Sequence, residues 1–429
     1  MKIVMFTNTY LPHVGGVARS VAQFTHCCRR RGHRVVVAAP EYDEQPEDDD
    51  EDVWRMPSLR HVASGNFAIA LPAKFDLADR IEQFDPDVIH THHPFWVGDT
   101  ALRVAASQNR PIVLTYHTMY EHYTHYMPVD ISQMGQYVVK LATGFANLCD
   151  RVIAPSQSIR DILQSRGVER PIDVVPTGVD VEKYSDGNGE RFRREHGIPA
   201  DAIVIGHVGR LAEEKNLVFL TRAIAEAMEQ MDNAHFLAVG SGSAEGPMRQ
   251  LLRQAKLRER AHFPGVLKGN DLVDAYHAMD VFGFASHTET QGMVLAEAMS
   301  AGVPVIALDA PGAREAVRDG ENGALVESED PVAFAQAVLR IAGASGERRE
   351  RLIRSARASA KEFSIERTTD RLLETYQKLH RRPQQPDTSL AESWNSLLRS
   401  VRREWEIWSN RVSSLSEFSG NNRNEEHSP

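Results

Sequence analysis

The sequence contains only three cysteines, Cys27, Cys28 and Cys149, and two of them are adjacent. Three thiols cannot build the disulfide framework on which small secreted domains rely, and neighbouring residues are a poor geometric pair. The scarcity of cysteine therefore excludes a disulfide scaffold and favours a reducing, cytoplasmic environment.

Long hydrophobic runs are also missing, since no stretch approaches the roughly 18 apolar residues that a membrane-spanning helix needs. The opening MKIVMFTNTY turns polar after its first apolar residues, which is typical of a strand and not of a secretory signal peptide. We therefore expect a protein without an integral membrane segment.

An excess of positive charge is lacking as well, because 49 Lys and Arg stand against 59 Asp and Glu. Residues 41–52 hold nine of the acidic side chains and no basic one, so the rest of the chain is close to neutral. A near-neutral surface argues against nucleic acid as a partner. The acidic run includes Asp-x-Asp spellings that suit a metal, but a solvated loop is favoured because nothing orders these carboxylates around one point.

What the sequence does contain is a regular alternation of short β-branched runs and helical stretches, which predicts parallel, doubly wound sheets. The runs are KIVMFT, RVVVAAP, PDVIHTH, PIVLTYHT, RVIAPS and PIDVVPTG, then AIVIGHVGR, AHFLAVGSG, AHFPGV, DVFGFAS, VPVIALD and GALVE. The pattern restarts after Pro176, so we expect two α/β domains joined near residues 176–184. Ligands of such sheets bind beyond the carboxyl ends of the strands, which selects the loops that matter.

One of these loops leads into a strong helix-forming segment at 286–302, SHTETQGMVLAEAMSAG. Glu289 is expected in the loop and Glu297 inside the helix, with Gly292 in the turn between them. The first backbone amides of the helix, around 291–294, lack intrahelical partners and carry partial positive charge, which suits a phosphate. The two carboxylates suit hydroxyls of a sugar and a ribose, and a capped helix with two solvated glutamates is the alternative.

Two cations follow the first strand of the second half, in GHVGRLAEEKN, where Lys215 lies five residues after Arg210. Cations near a helix start can hold a diphosphate and stabilise its charge as a leaving group, although surface cations are common and the pattern alone is weak. The nearby GSGSAEG at 240–246 is one residue longer than a dinucleotide loop, so we interpret it as a strand-to-helix turn.

In the first half, Gly15 and Gly16 follow the first strand, before a helix expected to begin near Ala18. They permit close approach of a ligand to the backbone, or simply form a tight turn. His117 stands at the end of a strand-like run, a position that favours a functional role over that of a satisfied core histidine. The aromatic cluster behind it either packs in the core or lines an acceptor site; it comprises Tyr120, His122, Tyr123, His125 and Tyr126.

In combination, HVGRLAEEKN and ETQGMVLAEAMSAGVPVIA resemble the second domain of the retaining family 4 glycosyltransferases. The spacing of Arg210 and Lys215 (R-x4-K) and that of Glu289 and Glu297 (E-x7-E) match the nucleotide-sugar site of that family. The likeness extends from the first residue to about Leu379.

A narrower likeness points to a lipid-glycosylating branch of the family. HTHHPFWVGDTALRVA, TYHTMYEHYTHYMP and HTETQG are similar to the diacylglycerol glucosyltransferases and phosphatidylinositol mannosyltransferases. The commoner family spelling E-G-F-G is replaced here by E-T-Q-G at 289–292, which supports the lipid branch and weakens the transfer of roles to the middle of this loop.

The resemblance implies the GT-B architecture, an α/β fold of two Rossmann-like doubly wound domains facing a cleft. The expected domains are 1–176, completed by 364–380, and 177–363, followed by a tail at 381–429. The donor implied is a nucleoside-diphosphate sugar, with UDP favoured over GDP, and no cofactor or metal is expected because protein groups neutralise the diphosphate. Anomeric configuration is expected to be retained, by attack on the face from which the diphosphate departs.

The resemblance also assigns roles to individual residues. Arg210 and Lys215 bind the phosphates, Glu289 holds the sugar hydroxyls, and Glu297 holds the ribose. His117 meets the donor sugar near its reacting end and joins Glu289, Arg210 and Lys215 as the expected catalytic set. The other expected donor contacts are Gly15, Gly16, Val266, Thr290, Gln291, Gly292, Met293 and Val294. The expected acceptor-side residues are Tyr10, Tyr120, His122 and Tyr126.

Beyond the family match, residues 381–387 are typical of a linker, and 394–415 predict an amphipathic helix with one apolar stripe. The stripe consists of Trp394, Leu398, Val401, Trp405, Trp408, Val412 and Leu415. It suits either an interfacial membrane helix or a helix docked on the body or on a second copy in a homodimer. The final GNNRNEEHSP is expected to be disordered.

The leading prediction is an enzyme at the inner, cytoplasmic face of a membrane that moves a hexose to a lipid hydroxyl such as that of diacylglycerol. Glucose is the favoured hexose. The alternatives are a GDP-mannose-dependent mannosyltransferase acting on a phosphoinositide or another glycolipid, and a soluble enzyme acting on a small sugar or glycan. A nucleotide-sugar epimerase can share the architecture, but the paired R-x4-K and E-x7-E spacings argue against it. A non-enzymatic binding protein is disfavoured because every charged donor position is retained.

Overall fold

The computed structural model describes residues 1–13, 15–42, 50–59, 69–70, 75–120 and 131–380, together with 402–403, 406–407 and 409. The chain divides into two compact units. The N-terminal unit comprises Met1–Pro176 and Thr368–Pro429, and the C-terminal unit comprises Thr177–Arg367.

Fifteen strands lie within the described residues. Those of the N-terminal unit are β1 Lys2–Phe6, β2 Arg34–Pro40, β3 Val53–Met56, β4 Ser58–Leu59, β5 Ile69–Ala70, β6 Val88–Thr91, β7 Ile112–Thr115, β8 Arg151–Ala154 and β9 Ile172–Val174. Those of the C-terminal unit are β10 Ile203–Val208, β11 Ala234–Val239, β12 Ala261–Gly265, β13 Val281–Phe284, β14 Val305–Leu308 and β15 Gly323–Val326.

Helices connect these strands along the chain. They are α1 Gly16–Arg30, α2 Phe75–Phe84, α3 Val97–Ser107, α4 Ile131–Leu148, α5 Gln157–Ser165, α6 Val181–Ser185, α7 Gly189–Glu195, α8 Leu217–Glu229, α9 Glu245–Gln254, α10 Gly269–His277, α11 Met293–Ser300, α12 Pro331–Ala342, α13 Gly346–Glu362 and α14 Ile365–His380. Within the described part of the chain, no helix is both long enough and apolar enough to cross a membrane.

Each unit is built on one parallel sheet. The N-terminal order is β3-β2-β1-β6-β7-β8-β9, and the C-terminal order is β12-β11-β10-β13-β14-β15. Neighbouring strands in both sheets run parallel, as strands linked by crossover helices must. The predicted pair of doubly wound α/β units is therefore confirmed. The loops after β1, β6 and β7 lie at the carboxyl ends of the strands of the N-terminal sheet, and the loops after β10 and β13 lie at those of the C-terminal sheet.

Strand β3 was not among the strand-like runs, so the sequence interpretation missed it. Only its alternate residues, Trp54 and Met56, are buried, while Val53 and Arg55 keep partial exposure. This alternation is typical of an edge strand, which lacks the continuous apolar run of the central strands. The short antiparallel pair β4 and β5 was also not predicted.

The C-terminal sheet separates two apolar clusters. Ile205 of β10 belongs to one cluster and its neighbour Val204 to the other, because successive side chains of a strand point to opposite faces. Helices therefore cover both faces of the sheet, while Arg210, Lys215 and Glu289 follow the carboxyl ends of β10 and β13.

Part of the tail packs against the rest of the N-terminal unit. Ile407 is only 4% exposed and belongs to that unit's apolar cluster. The Arg403 guanidinium donates to the carbonyl oxygen of Leu148, at the end of α4, over 2.8 Å. These contacts favour the docked interpretation for this part of the tail. The predicted apolar stripe lies outside the described residues.

Candidate active site

The loop after β10 holds the two predicted cations. After Val208 the chain forms a 3₁₀ turn at Glu213–Lys215, and Asn216 adopts a left-handed conformation before α8 begins. The Arg210 guanidinium donates to Glu214 Oε1 over 2.7 Å, and the Glu214 side chain is 5% exposed while that of Arg210 is 55% exposed. A largely buried carboxylate thus orients a solvent-facing cation. The partner sits at i+4 in the sequence, although it was not singled out there.

Lys215 forms an ion pair with Glu289 of the loop after β13, through Lys215 Nζ and Glu289 Oε1. Their side chains are 15% and 22% exposed, so solvent screens this pair less than a surface pair. The fold therefore brings together two residues that the resemblance assigned separately to the phosphates and to the sugar.

Further contacts fix these two loops against each other. Asn216 Nδ2 donates to Glu329 Oε1 over 2.8 Å, and His287 Nε2 lies 3.0 Å from Glu329 Oε2. The hydrogen bond from Asn216, with a smaller contribution from His287, lowers the pKa of the Glu329 carboxyl. The Thr288 hydroxyl lies 3.4 Å from the carbonyl oxygen of Glu214. The Lys215 and Glu289 positions are consequently held from both sides.

Helix α11 begins directly after this loop. Gly292 caps it in the left-handed conformation, with φ of 69°, and supplies no side chain to the first amides of the helix. Glu289 lies outside the helix and Glu297 within it, as the sequence predicts. Of the four amides expected to face a phosphate, those of Met293 and Val294 open the helix, whereas those of Gln291 and Gly292 precede it.

The second carboxylate of the motif is deeply buried. Glu297 is 1% exposed, and the Tyr276 hydroxyl of α10 donates to its Oε2 atom over 2.7 Å. This hydroxyl fixes the rotamer of the carboxylate, and no local pattern marked Tyr276 in the sequence. Val266, another expected donor contact, follows β12 with 59% of its surface exposed.

The C-terminal unit also buries one histidine beside the loop after β10 and the loop after β13 (residues 285–292), the second of which is here termed the donor loop. His207 of β10 is 2% exposed, and its Nδ1 donates to the carbonyl of Gly283 over 3.0 Å. Burial lowers the pKa of His207 to about 4. The ring is therefore neutral at physiological pH.

In the N-terminal unit, His117 follows β7 and His92 follows β6. His92 Nδ1 lies 2.9 Å from His117 Nε2, with ring centroids 5.1 Å apart and ring planes within 24°. The contact thus lies near both ring planes, the geometry of a hydrogen bond between imidazoles. Burial, with help from neighbouring histidines, lowers the pKa of both rings well below 6.5, so the pair is neutral. The sequence motif at 90–105 contains His92, but its pattern does not mark His92 as a site residue.

A third histidine, His90, packs against His92 of this pair, with ring centroids 4.1 Å apart. His90 Nδ1 lies 2.6 Å from the Tyr376 hydroxyl of α14, and its Nε2 lies 2.7 Å from the Thr115 hydroxyl. Burial lowers the pKa of His90 to about 3. The helix that returns to the N-terminal unit therefore helps to fix the polar end of β6.

The remaining expected residues of this unit lie as follows. Helix α1 begins at Gly16, two residues earlier than expected, and Gly15 is extended with φ of −168°. Tyr10 is 6% exposed beneath the Arg55 guanidinium, and burial raises the pKa of its phenol. Tyr120 packs edge-on against Phe95, with ring centroids 5.4 Å apart, which favours its packing role. His122 and Tyr126 lie outside the described residues.

The described residues contain no group of three or more His, Cys, Asp or Glu placed to hold a metal ion. Asp50, at the end of the acidic run, pairs with Arg29 at 2.5 Å. The part of that run at 43–49 lies outside the described residues.

Comparison with known families matches both units. Residues 14–183 match the model of glycosyltransferase family 4, and residues 188–359 match that of the glycosyl transferases group 1. The two matches leave only a few residues between them and meet near the boundary of the two units.

Curated relatives agree with the family models. The alpha-monoglucosyldiacylglycerol synthase of Streptococcus pneumoniae is 28% identical over 340 residues, covering 78% of this chain and 77% of the relative. The D-inositol 3-phosphate glycosyltransferase of Geodermatophilus obscurus is 31% identical over 344 residues, covering 74% of this chain and 75% of the relative.

A solved structure shares the fold. The Anabaena protein HepE, crystallised in complex with UDP, superimposes with a TM-score of 0.69 at 21% identity, covering 88% of this chain and all of HepE. Two parallel α/β units, two adjoining family matches and a relative above 30% identity lead to one assignment. The chain belongs to glycosyltransferase family 4 and is a hexosyltransferase with the GT-B fold.

Proposed function

We propose that this enzyme is a retaining glycosyltransferase that moves a hexose from a UDP-sugar to a lipid hydroxyl such as that of diacylglycerol. Glucose is the favoured hexose. The observation that supports a nucleotide-sugar donor is the Lys215–Glu289 ion pair. It brings a cation of the loop after β10, which also holds Arg210, together with a carboxylate of the loop after β13. The relative named as a monoglucosyldiacylglycerol synthase, similar over three quarters of this chain, supports the lipid half.

Donor binding would exchange one set of contacts for another. The diphosphate offers Lys215 a doubly charged partner, and sugar hydroxyls offer Glu289 hydrogen-bond donors in place of the ammonium. Arg210, whose side chain is largely exposed, is oriented by Glu214 toward solvent and is available to the same diphosphate. The ion pair thus holds both side chains in place before the donor arrives.

The transfer step needs no reactant other than the donor and the acceptor. The bond between the anomeric carbon and the diphosphate oxygen breaks, and the electron pair leaves with the diphosphate. The acceptor oxygen bonds to the anomeric carbon on the same face, and its proton passes to the departing phosphate oxygen. Arg210, Lys215 and the first amides of α11 stabilise the charge that grows on the leaving group.

Other residues would bind rather than react. Glu297, fixed by Tyr276, accepts hydrogen bonds from the ribose hydroxyls. Val266 contributes exposed apolar surface to the base. Gly16, with no side chain, lets the loop after β1 approach the donor phosphate. Thr290 and Gly292 contribute through the backbone of the donor loop.

His117 is proposed to hold a hydroxyl of the transferring sugar as a neutral imidazole. Its lowered pKa argues against a role as a protonated general acid, and the contact with His92 restricts its ring orientation. Tyr10 and Tyr120 are proposed for the acceptor side, where their aromatic rings suit an apolar molecule with a polar end.

A small polyol is the second candidate acceptor. It is favoured by the relative named as a D-inositol 3-phosphate glycosyltransferase, which has higher sequence identity to this chain than the diacylglycerol enzyme. The two candidates share the donor site and differ only in the acceptor, so one experiment separates them.

The test combines the purified full-length enzyme with UDP-glucose, UDP-galactose and GDP-mannose, each offered diacylglycerol or phosphatidylinositol vesicles, or soluble inositol phosphate. Products are identified by mass spectrometry and the anomeric configuration by NMR. Glucosylated diacylglycerol of retained configuration supports the proposal. Product with inositol phosphate alone selects the second candidate, and an inverted product contradicts the proposed mechanism.

A further inference from the structure

Gln291 occupies the donor loop between Glu289 and the cap of α11, yet its side chain points into the protein. It is 7% exposed, and both of its polar atoms bond to one residue. Its Oε1 accepts from the backbone amide of Thr177, and its Nε2 donates to the Thr177 carbonyl over 2.6 Å. A side-chain amide thus pairs with a backbone as a neighbouring strand would.

Thr177 is the first residue of the C-terminal unit, directly after the chain leaves the N-terminal unit at Pro176. Two residues on, the Val179 amide donates to the carbonyl of Phe363 over 2.9 Å, and the Ile365 amide donates to the Val179 carbonyl over 3.0 Å. Val179 therefore pairs in parallel with the segment that leads the chain back. The outgoing and returning segments form one hydrogen-bonded pair, here termed the crossing pair (177–179 and 363–365).

The backbone of the donor loop is tightly packed on the side of Gly312. Gly312 packs against it so closely that an added Cβ would lie 2.9 Å from both the Gln291 amide nitrogen and the Glu289 carbonyl oxygen. Separating Gln291 from Thr177 would leave buried amide groups without partners, which costs about 1–3 kcal/mol for each unsatisfied group. A shift of Glu289 is therefore transmitted to the crossing pair more readily than absorbed within the loop.

We propose that Gln291 is a positioning residue that couples the state of Glu289 to the crossing pair through Thr177. Its side chain acts on the reaction through the backbone and does not contact the donor. The phenylalanine of the commoner family spelling cannot make either bond, so the coupling is specific to chains with an amide at this position. The link to catalysis rests on the proposed function, in which the donor binds at Glu289.

The test compares the wild type with Gln291→Met, which keeps the side-chain length and removes both bonds. Gln254→Met, at an exposed position on α9, is the matched control. Amide hydrogen exchange is followed at Thr177, Val179 and Ile365 with and without UDP. In the wild type, UDP should slow exchange both in the donor loop and at these amides. In Gln291→Met, UDP should still protect the donor loop and bind within about 3-fold of its wild-type Kd, while the crossing-pair amides no longer respond.

A ligand-free arm separates this coupling from the donor assignment. Lys215→Ala releases Glu289 and should speed exchange of the crossing-pair amides about 3- to 10-fold in the wild-type background, the range of one net hydrogen bond. The same substitution in the Gln291→Met background should have no such effect. Additive effects in the double variant, or an unchanged UDP response in Gln291→Met, would overturn the coupling. Failure of UDP to protect the wild-type donor loop would overturn the UDP assignment, while the ligand-free arm still decides the coupling.

Steady-state kinetics give a further test, because a residue with a purely structural role would not lower kcat selectively while leaving KM for the donor unchanged. Gln291→Met should lower kcat by about 10-fold with KM for the donor changed by less than about 3-fold. A KM increase above 10-fold with kcat intact would instead identify the Gln291 side chain as a donor contact and contradict the proposal.

Discussion

The two units end their sheets in polar groups of different kinds. At the edge of the C-terminal sheet, the polar groups are charged and paired: Arg210 with Glu214, and Lys215 with Glu289. At the edge of the N-terminal sheet they are neutral imidazoles, with His92 bonded to His117. One fold type, used twice in a chain, thus carries two electrostatic environments.

Each of these two sets of polar groups suits a different kind of ligand. Paired charges are kept solvated or compensated until an anion arrives, and they then stabilise its charge. Neutral imidazoles within a buried cluster cannot be protonated without a large desolvation penalty, so they suit hydroxyl groups of an uncharged molecule.

The largest expected effect is a difference in acid stability. The folded-state pKa values of His90 and His207 lie near 3 and 4, below the ordinary 6.5, so the unfolded chain takes up protons first as the pH falls. The contribution of each neutral histidine to the free energy of unfolding is therefore fully present above pH 6.5 and decreases below it. At pH 5 the loss is about 2 kcal/mol for each of these two residues. His92, His93 and His117, with pKa values lowered in the same direction by burial, add to the loss in the N-terminal unit, and the less deeply buried His235 and His262 add a smaller loss in the C-terminal unit.

We therefore expect the N-terminal unit to unfold at a higher pH than the C-terminal unit. Hydrogen exchange in peptides from β1 and β6, compared with peptides from β10 and β13 between pH 7.5 and 5, measures this order. His93→Asn keeps an acceptor for the amide of Asn8 and should flatten the acid response of the N-terminal unit. Unfolding of the C-terminal unit at a higher pH than the N-terminal unit would contradict this prediction.

The next largest effect concerns the charged edge. Lys215→Ala removes one charge-assisted contact that strengthens as the diphosphate departs, at about 2–4 kcal/mol of transition-state stabilisation. The expected result is a kcat lower by about 30- to 1,000-fold. Lys361→Ala, an exposed lysine of the same unit, is the control and should stay near wild-type activity. Near-normal turnover by a folded Lys215→Ala enzyme would remove Lys215 from the donor site.

The contrast between the units was only partly predictable from sequence. The β-α alternation and the positions of Glu289 and Glu297 follow from local periodicity, which the chain displays directly. The partners of the site residues do not. His90 and Tyr376 are 286 residues apart, and the Tyr276–Glu297 bond joins two helices, so neither leaves a local signal. Gln291 was predicted as a donor contact by resemblance, and only the fold shows its side chain bonded to Thr177.

A smaller effect is expected from the tail, part of which packs in the apolar cluster of the N-terminal unit. Ile407→Ala removes a buried side chain from the N-terminal cluster, which costs about 2 kcal/mol of that unit's stability. Arg402→Ala, whose side chain is 81% exposed, should change stability by less than about 0.5 kcal/mol. Thermal unfolding of both variants measures the difference. Equal stabilities would contradict docking of this segment.

Truncation after Pro386 tests the remaining membrane prediction. The apolar stripe at 394–415 suits a bilayer surface as well as a protein surface, and its net charge is small, so binding should persist at moderate salt. We expect the truncated enzyme to co-sediment less with diacylglycerol-containing vesicles while its affinity for UDP is unchanged. Equal vesicle binding by both proteins would leave the tail with its docking role alone.

The smallest expected effect is that of a chelator. In the proposed mechanism Arg210, Lys215 and the first amides of α11 neutralise the leaving diphosphate, so a divalent cation would add little to a site that already supplies positive charge. Activity in EDTA should stay within about 2-fold of its value without EDTA, and added Mg²⁺ or Mn²⁺ should not raise it further. Full loss in EDTA with recovery in Mn²⁺ would mean that the paired charges do not suffice. The aspartates near Asp50, at the end of the acidic run, would then be the candidate metal ligands.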